Sequence, residues 1–188
     1  MTDRPRFPSP LVTERLIIRT PELGDAQMLN EAIRETWDGL YRWMPWAITP
    51  PTLEESVDTC RRMSSHTAEG DDYVLFCFER ATGRFVMASG CHPKSWEVPA
   101  FEIGYWCRTS EQGKGFVTEA VLAITQAAFE VMGARRIEIR CDTDNTASRA
   151  VAERAGYKLN AEFACHRRNK LGELGGTYVF AQTRPDPA

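Results

Sequence analysis

The sequence predicts a mixed α/β fold, with a central sheet of about six to seven strands flanked by about four helices. Short β-branched or alternating runs recur along the chain, as where Phe101, Ile103, Tyr105 and Cys107 alternate with Glu102, Gly104, Trp106 and Arg108. Between such runs lie apolar residues at helical spacing: Val117, Val121, Ile124, Ala128 and Val131 form one face that Gly133 stops. Length and composition, 188 residues at 43% hydrophobic, suit one domain over residues 1–188, with an arm at 1–10 and a tail at 184–188.

In chain order, Glu14 to Arg19 reads as a first strand, β-branched at its centre and stopped by Thr20-Pro21. Asp25 is expected to cap a helix carrying Leu29, Ala32 and Ile33. The stretch from Trp37 to Trp46 is aromatic but aperiodic, and Pro45 limits any helix there, so it reads as a packed loop. Thr52 and Glu55 have capping-box spacing ahead of Leu53, Val57, Cys60 and Ser64 on one helical face, which ends near Gly70. Tyr73 to Phe78 is short and apolar throughout, as in a strand buried on both sides. Turns at Ala81-Thr82-Gly83 and at Trp96 to Pro99 then make a three-strand meander. Past the central helix, Ile137, Ile139 and Cys141 alternate with charged residues, and Asn145 starts a short helix that Gly156 closes. Tyr157, Leu159, Ala161 and Phe163 alternate once more, and Gly176 to Phe180 supplies a last strand.

Composition excludes several classes of function. A net charge of −3 provides no basic stripe for nucleic acid. No apolar run approaches the ~18 residues that span a bilayer, and the first residues lack a signal-peptide core, so the expected location is the cytoplasm. Six widely spaced cysteines without a C-x-x-C pair read as reduced core thiols. His66, His92 and His166 lack ligand spacing, and neither Cys91-His92 nor Cys165-His166 can converge within a strand, so no metal is expected.

Chemistry concentrates at Gln112-Gly113-Lys114-Gly115-Phe116-Val117-Thr118, a glycine loop between strand and helix. Such a loop brings unpaired N–H groups and a positive helix end to one point, which suits a phosphate. The nucleotide P-loop string is absent. A dinucleotide fingerprint is met in part by Gly113, Gly115 and Thr118, with Asp142 at the end of the next strand. Against that NAD-type reading, Thr118 replaces the third glycine and too little chain follows for a doubly wound sheet.

The loop instead resembles the Q/R-x-x-G-x-G/A element of the GNAT superfamily of acetyl-CoA-dependent N-acetyltransferases, with Val117 where glycine or alanine is usual. The segments Glu102 to Trp106, Thr118-Glu119-Ala120, Asp144 to Arg149 and Ala155-Gly156-Tyr157 resemble the branch holding the ribosomal-protein N-terminal (alanine/serine) acetyltransferases, as do Leu11 to Leu16 and Arg42 to Trp46. The resemblance implies a mostly antiparallel sheet, with acetyl-CoA as co-substrate and an amine-bearing acceptor, a protein N-terminus or a small molecule. A homodimer is compatible with it.

The same resemblance assigns roles. The amides from Gln112 through Gly113, Lys114, Gly115, Phe116, Val117 and Thr118 would take the pyrophosphate, with Lys114 adding charge. Backbone groups near Cys107 and Thr109, together with Asn145, would hold the pantetheine arm. Trp43 and Trp46 would line the acceptor cleft. Glu102 is the expected base, among apolar neighbours that favour its protonated form; the plain alternative is an ion pair with an arginine such as Arg140. Ala152 stands where many of these enzymes carry a tyrosine, and Ser148 is expected to meet the leaving thiolate instead, besides contacting the cofactor.

Elementary acid–base chemistry favours an N-terminal acceptor. A lysine amine titrates near ~10.4 and an α-amino group near ~8, so deprotonation at pH 7 costs about 4–5 kcal/mol for the first and about 1–1.5 for the second. The competing class is a non-catalytic acyl-CoA-binding domain.

Overall fold

The computed structural model describes residues 4–170 and 172–184. Among these, eight strands form one sheet and five α-helices flank it. The elements are β1 (Leu11–Val12), β2 (Leu16–Arg19), α1 (Ala26–Glu35), α2 (Trp37–Trp43), α3 (Leu53–Glu69), β3 (Tyr73–Glu79), β4 (Phe85–Ser95), β5 (Ala100–Cys107), α4 (Phe116–Glu130), β6 (Arg136–Asp142), α5 (Thr146–Arg154), β7 (Lys158–Arg168) and β8 (Leu174–Thr183). Their order across the sheet is β1-β2-β3-β4-β5-β6-β8-β7. Tight turns join β3 to β4 and β4 to β5, so those pairs are antiparallel, whereas the crossover through α4 makes β5 and β6 parallel. A sheet with one parallel pair among its described strands is not the doubly wound sheet of a dinucleotide binder.

Several expectations need correction. The stretch expected as a loop holds α2, because Pro45 stops a helix rather than preventing one. Met44 adopts the extended backbone a pre-proline residue requires while its N–H still donates to Leu40 O at 2.8 Å. Leu40 is its one buried residue, too few to show a period. Asp25 does not cap α1, since its backbone is already helical, and its carboxylate instead accepts from Arg19 and from the Glu22 N–H. Val131 falls after the last residue of α4 and is exposed, as is Leu53 at the start of α3, whose buried face is Ser56 and Cys60. Leu159 and Phe163 are also exposed because β7 is an edge strand. Of the expected arm, residues 1–3 lie outside the described residues and the remainder is anchored: Phe7 is buried against Tyr73, whose hydroxyl donates to Pro5 O at 2.7 Å. Five of the six cysteines are buried, Cys165 being the exception. Of the expected tail, residues 185–188 lie outside the described residues.

One irregularity of the sheet positions everything that follows. β5 and β6 pair only through Ala100–Arg136, Phe101–Ile137 and Glu102–Glu138. Beyond these, β5 stays with β4 as far as Cys107 and β6 stays with β8 as far as Asp142, so the two strands part from Ile103 and Ile139 onward. Alternation then assigns each side chain to a side of the sheet. Ile103, Cys107, Ile139 and Cys141 join Phe116, Val121 and Val151 in the core under α4 and α5. Trp106 packs with Leu40, Cys60 and Phe76 under α1, α2 and α3.

Candidate active site

A cavity of about 980 Å³ runs through the gap between β5 and β6. Its wall on one side is Gln112 to Gly113, Gly115 to Thr118, Asn145 and Ser148, and on the other it is Leu40, Trp43, Met44, Glu102 and Trp106.

The glycine loop is built as a helix entrance. Gly113 and Gly115 have φ of 74° and 84°, and Gly115 is the residue before the first turn of α4. An L side chain at either position would be strained, which explains two glycines in four residues. The N–H groups at the start of α4 have no partner within the helix, and the helix dipole adds positive potential there. Arg15 braces the loop from outside: it donates to Lys114 O at 2.9 Å, lies over the Phe116 ring at 4.6 Å, and bonds Glu119 in the first turn of α4 at 2.7 Å. Lys114 departs from expectation, because its ammonium is held by the buried Glu111 carboxylate at 2.8 Å and is not on the cavity wall. Val117 does line the cavity, in the first turn of α4.

Of the residues expected at the pantetheine arm, Cys107 and Asn145 line the cavity and Thr109 does not. Cys107 lines the cavity, but its carbonyl accepts from the Gln112 side chain at 3.2 Å. Burial pushes its thiol up to about 12, which makes it inert. The Thr109 N–H is occupied by Thr36 Oγ1 at 3.0 Å, and Thr109 is not on the cavity wall. Asn145 lines the cavity and caps α5, its Oδ1 accepting from the Ser148 N–H at 3.0 Å.

That cap points Ser148 at a residue the sequence reading passed over as a catalytic group. The Tyr105 hydroxyl lies 3.0 Å from Ser148 Oγ, inside the cavity wall. Burial pushes this phenol up to about 12, partly offset by the Ser148 hydrogen bond, so near neutral pH it is a donor. Its signal was available in the alternation of β5, which puts Tyr105 on the same side as Ile103 and Cys107. Tyr157 turns away into the core, bonded to Thr125 at 2.6 Å.

On the opposite side Glu102 faces the cavity and ion-pairs with Lys94 at 3.2 Å. Arg140, the partner considered from sequence, pairs with Glu138 at 3.6 Å. Trp43 lines this end, but Trp46 is 52% exposed and outside it. Asp142 is satisfied by Arg167 and by the Asp144 N–H at 2.8 Å.

A family profile described as Acetyltransferase (GNAT) domain matches residues 15–158. This chain belongs to the GNAT acetyltransferase family. As a member it is an N-acetyltransferase with acetyl-CoA as acyl donor. A Bacillus subtilis relative, YdaF, provisionally named a ribosomal N-acetyltransferase, is 30% identical over 149 residues, 78% of this chain and 79% of its own. In fold, the acetyltransferase superposes on the microcin C7 self-immunity acetyltransferase MccE, solved with acetyl-CoA and AMP, with a TM-score of 0.86 at 21% identity, covering 94% of this chain and 97% of that one. RimL, a ribosomal alpha-N-protein acetyltransferase solved with coenzyme A, superposes with a TM-score of 0.83 at 20% identity, over 92% and 96% of the two chains.

Proposed function

We propose that this acetyltransferase moves acetyl from acetyl-CoA to a primary amine, a protein N-terminus or a small amine, by direct attack. One observation carries the reading: the cavity passes through the sheet, with the glycine loop, Ser148 and Tyr105 on one side of the gap and Glu102 on the other. Donor and acceptor thus enter from opposite sides and meet between β5 and β6.

In this reading the backbone amides of Gly113 to Thr118 take the pyrophosphate and the open edge of β5 takes the pantetheine arm, as an added strand would. An ammonium group beside Glu102 loses its proton to that carboxylate through a water. The neutral nitrogen attacks the thioester carbon and the C–N bond forms; the nitrogen then gives up its second proton through water to the departing thiolate as the C–S bond breaks and the tetrahedral intermediate collapses. The thiolate leaves toward Ser148, whose hydroxyl donates to it while Tyr105 donates to Ser148. A protein N-terminus is the favoured acceptor on two grounds. Its amine is cheaper to deprotonate than lysine, and YdaF and RimL carry names that point to ribosomal proteins.

Release of free coenzyme A, followed with a thiol reagent, tests the reading. Peptides starting with free serine or alanine should stimulate release, and the same peptides with blocked N-termini should not. Tight acetyl-CoA binding without stimulation by any amine would overturn it.

A further inference from the structure

A histidine and an aspartate next to Glu102 take no part in the transfer as described. His92 and Glu102 are opposite residues on β4 and β5, and their side chains share the side of the sheet that meets α1, α2 and α3. Asp72 Oδ1 lies 2.6 Å from His92 Nδ1. With Nδ1–H donating to that carboxylate, the Nε2 lone pair is free, the arrangement by which carboxylates orient catalytic imidazoles.

The sheet is cut away to receive this ring. Gly90 and Gly104 face each other in the two strands, and neither is among the positive-φ glycines. Glycine weakens a strand and backbone conformation does not demand it here, so another cause is needed. A Cβ at Gly90 would lie 2.5 Å from His92 Nε2, and one at Gly104 would lie 3.4 Å from the same atom. The missing side chain at Gly90 leaves room for the imidazole, whereas a Cβ at Gly104 would meet it only in ordinary contact, and Gly104 is itself part of the cavity wall. Nε2 therefore lies near Gly104 of that wall, although His92 is not itself a lining residue, and the ring remains 38% exposed to solvent.

We propose that the Asp72–His92 pair is the final proton acceptor of the transfer, a relay residue acting behind Glu102. The inference rests on the transfer reading above. The amine's proton passes to the Glu102 carboxylate and through water to Nε2, giving an imidazolium that Asp72 stabilises. It leaves from the exposed ring edge to solvent, which restores neutral His92, and no other bond changes in this step. Glu102 is tied to Lys94 and so is suited to hand the proton on. The charged groups around the ring are Asp72 and Asp71 ahead of β3, Lys94 on β4 and Glu102 on β5. The last turn of α3 adds His66 and Glu69, its His66 carbonyl accepting from the Asp71 and Asp72 N–H groups, and Arg4 pairs with Asp71.

Steady-state kinetics on the full chain, with acetyl-CoA and a hexapeptide bearing a free N-terminal serine, test the relay. His92→Gln should lower kcat about 10- to 100-fold with KM for acetyl-CoA unchanged. Because only the neutral ring accepts a proton, the wild-type rate should fall in acid, and this acid limb should vanish in the variant. Added imidazole should restore part of the rate of His92→Ala, and His66→Gln should behave as wild type. If His92→Gln fails to fold, Asp72→Asn should still lower kcat about tenfold. A His92→Gln enzyme with kcat within twofold and an unaltered pH profile would overturn the relay alone. Nitrogen-15 NMR of the wild-type imidazole needs no acceptor: a proton on Nδ1 in the neutral ring is expected, and a proton on Nε2 would overturn the relay. Absence of transfer to any amine would instead remove the reading on which it rests.

Discussion

The two sides of the gap between β5 and β6 are built from different chemistry. Under α4 and α5 the wall carries apolar side chains, backbone amides and neutral hydroxyls beside Glu111 and Arg154, with the thiol of Cys107 and the phenol of Tyr105 both pushed up to about 12 by burial. Under α1 to α3 it carries ion pairs, Glu102 with Lys94 and Asp142 with Arg167. The first side suits an anion held by dipoles and a thiolate met by a hydroxyl. The second suits an incoming cation that must lose a proton. Binding of the donor and activation of the acceptor should therefore be separable by mutation.

The largest test of that separation is Glu102→Gln. It should lower kcat by about 10²–10⁴ while leaving the Kd for acetyl-CoA unchanged. A parallel loss of donor affinity would break the division. Gly115→Asp attacks the other side: left-handed backbone costs a non-glycine residue about 1–2 kcal/mol, and a carboxylate repels the pyrophosphate. Calorimetry should show acetyl-CoA affinity reduced about 100-fold in a folded protein, and intact affinity would sink the phosphate-loop assignment. Tyr105→Phe removes the hydroxyl that lies against both Ser148 Oγ and Ser148 O and should lower kcat about tenfold with little change in KM for either substrate.

The smallest effect concerns the tie between the two sides. Glu35 ends α1 and receives Ser110 N–H at 2.9 Å as well as Arg108. Burial alone would raise its carboxyl, but the hydrogen bonds from Ser110 and Arg108 outweigh it and hold the group at about 2, below the ordinary 4.5. A depressed folded pKa stabilises above the unfolded value and is lost as pH falls through the folded one. Wild-type Tm should therefore decline between pH 4.5 and about 2, and Glu35→Gln should flatten that decline. Identical pH profiles for the two proteins would show that the tie contributes nothing.

Much of this was legible in the chain. The meander, the central helix and the glycine loop each rest on local rules, and alternation in β5 carried through intact. Other features depend on partners distant in sequence. The periodicity of α2 is invisible because one residue, Leu40, anchors it. Lys114 reads as a free charge until Glu111 is found buried beside it. The reason for a glycine at position 90 appears only once the register places it under His92. Tyr105 was visible as a strand residue, but its use depends on Ser148, 43 positions later.

Arg15 has a consequence for how the donor binds. Its bonds to Lys114 O and Glu119 and its contact with Phe116 hold the loop in shape before any anion arrives. Glu119 also accepts from Thr13 Oγ1 at 2.6 Å, so β2 and the turn before it brace the same helix. If the loop takes the pyrophosphate as proposed, little conformational freedom is left to lose on binding, and the ordering cost falls on the ligand rather than on the protein. Cutting that brace with Arg15→Ala should make acetyl-CoA binding entropically less favourable at nearly unchanged enthalpy, a difference that calorimetry resolves where an affinity alone would not.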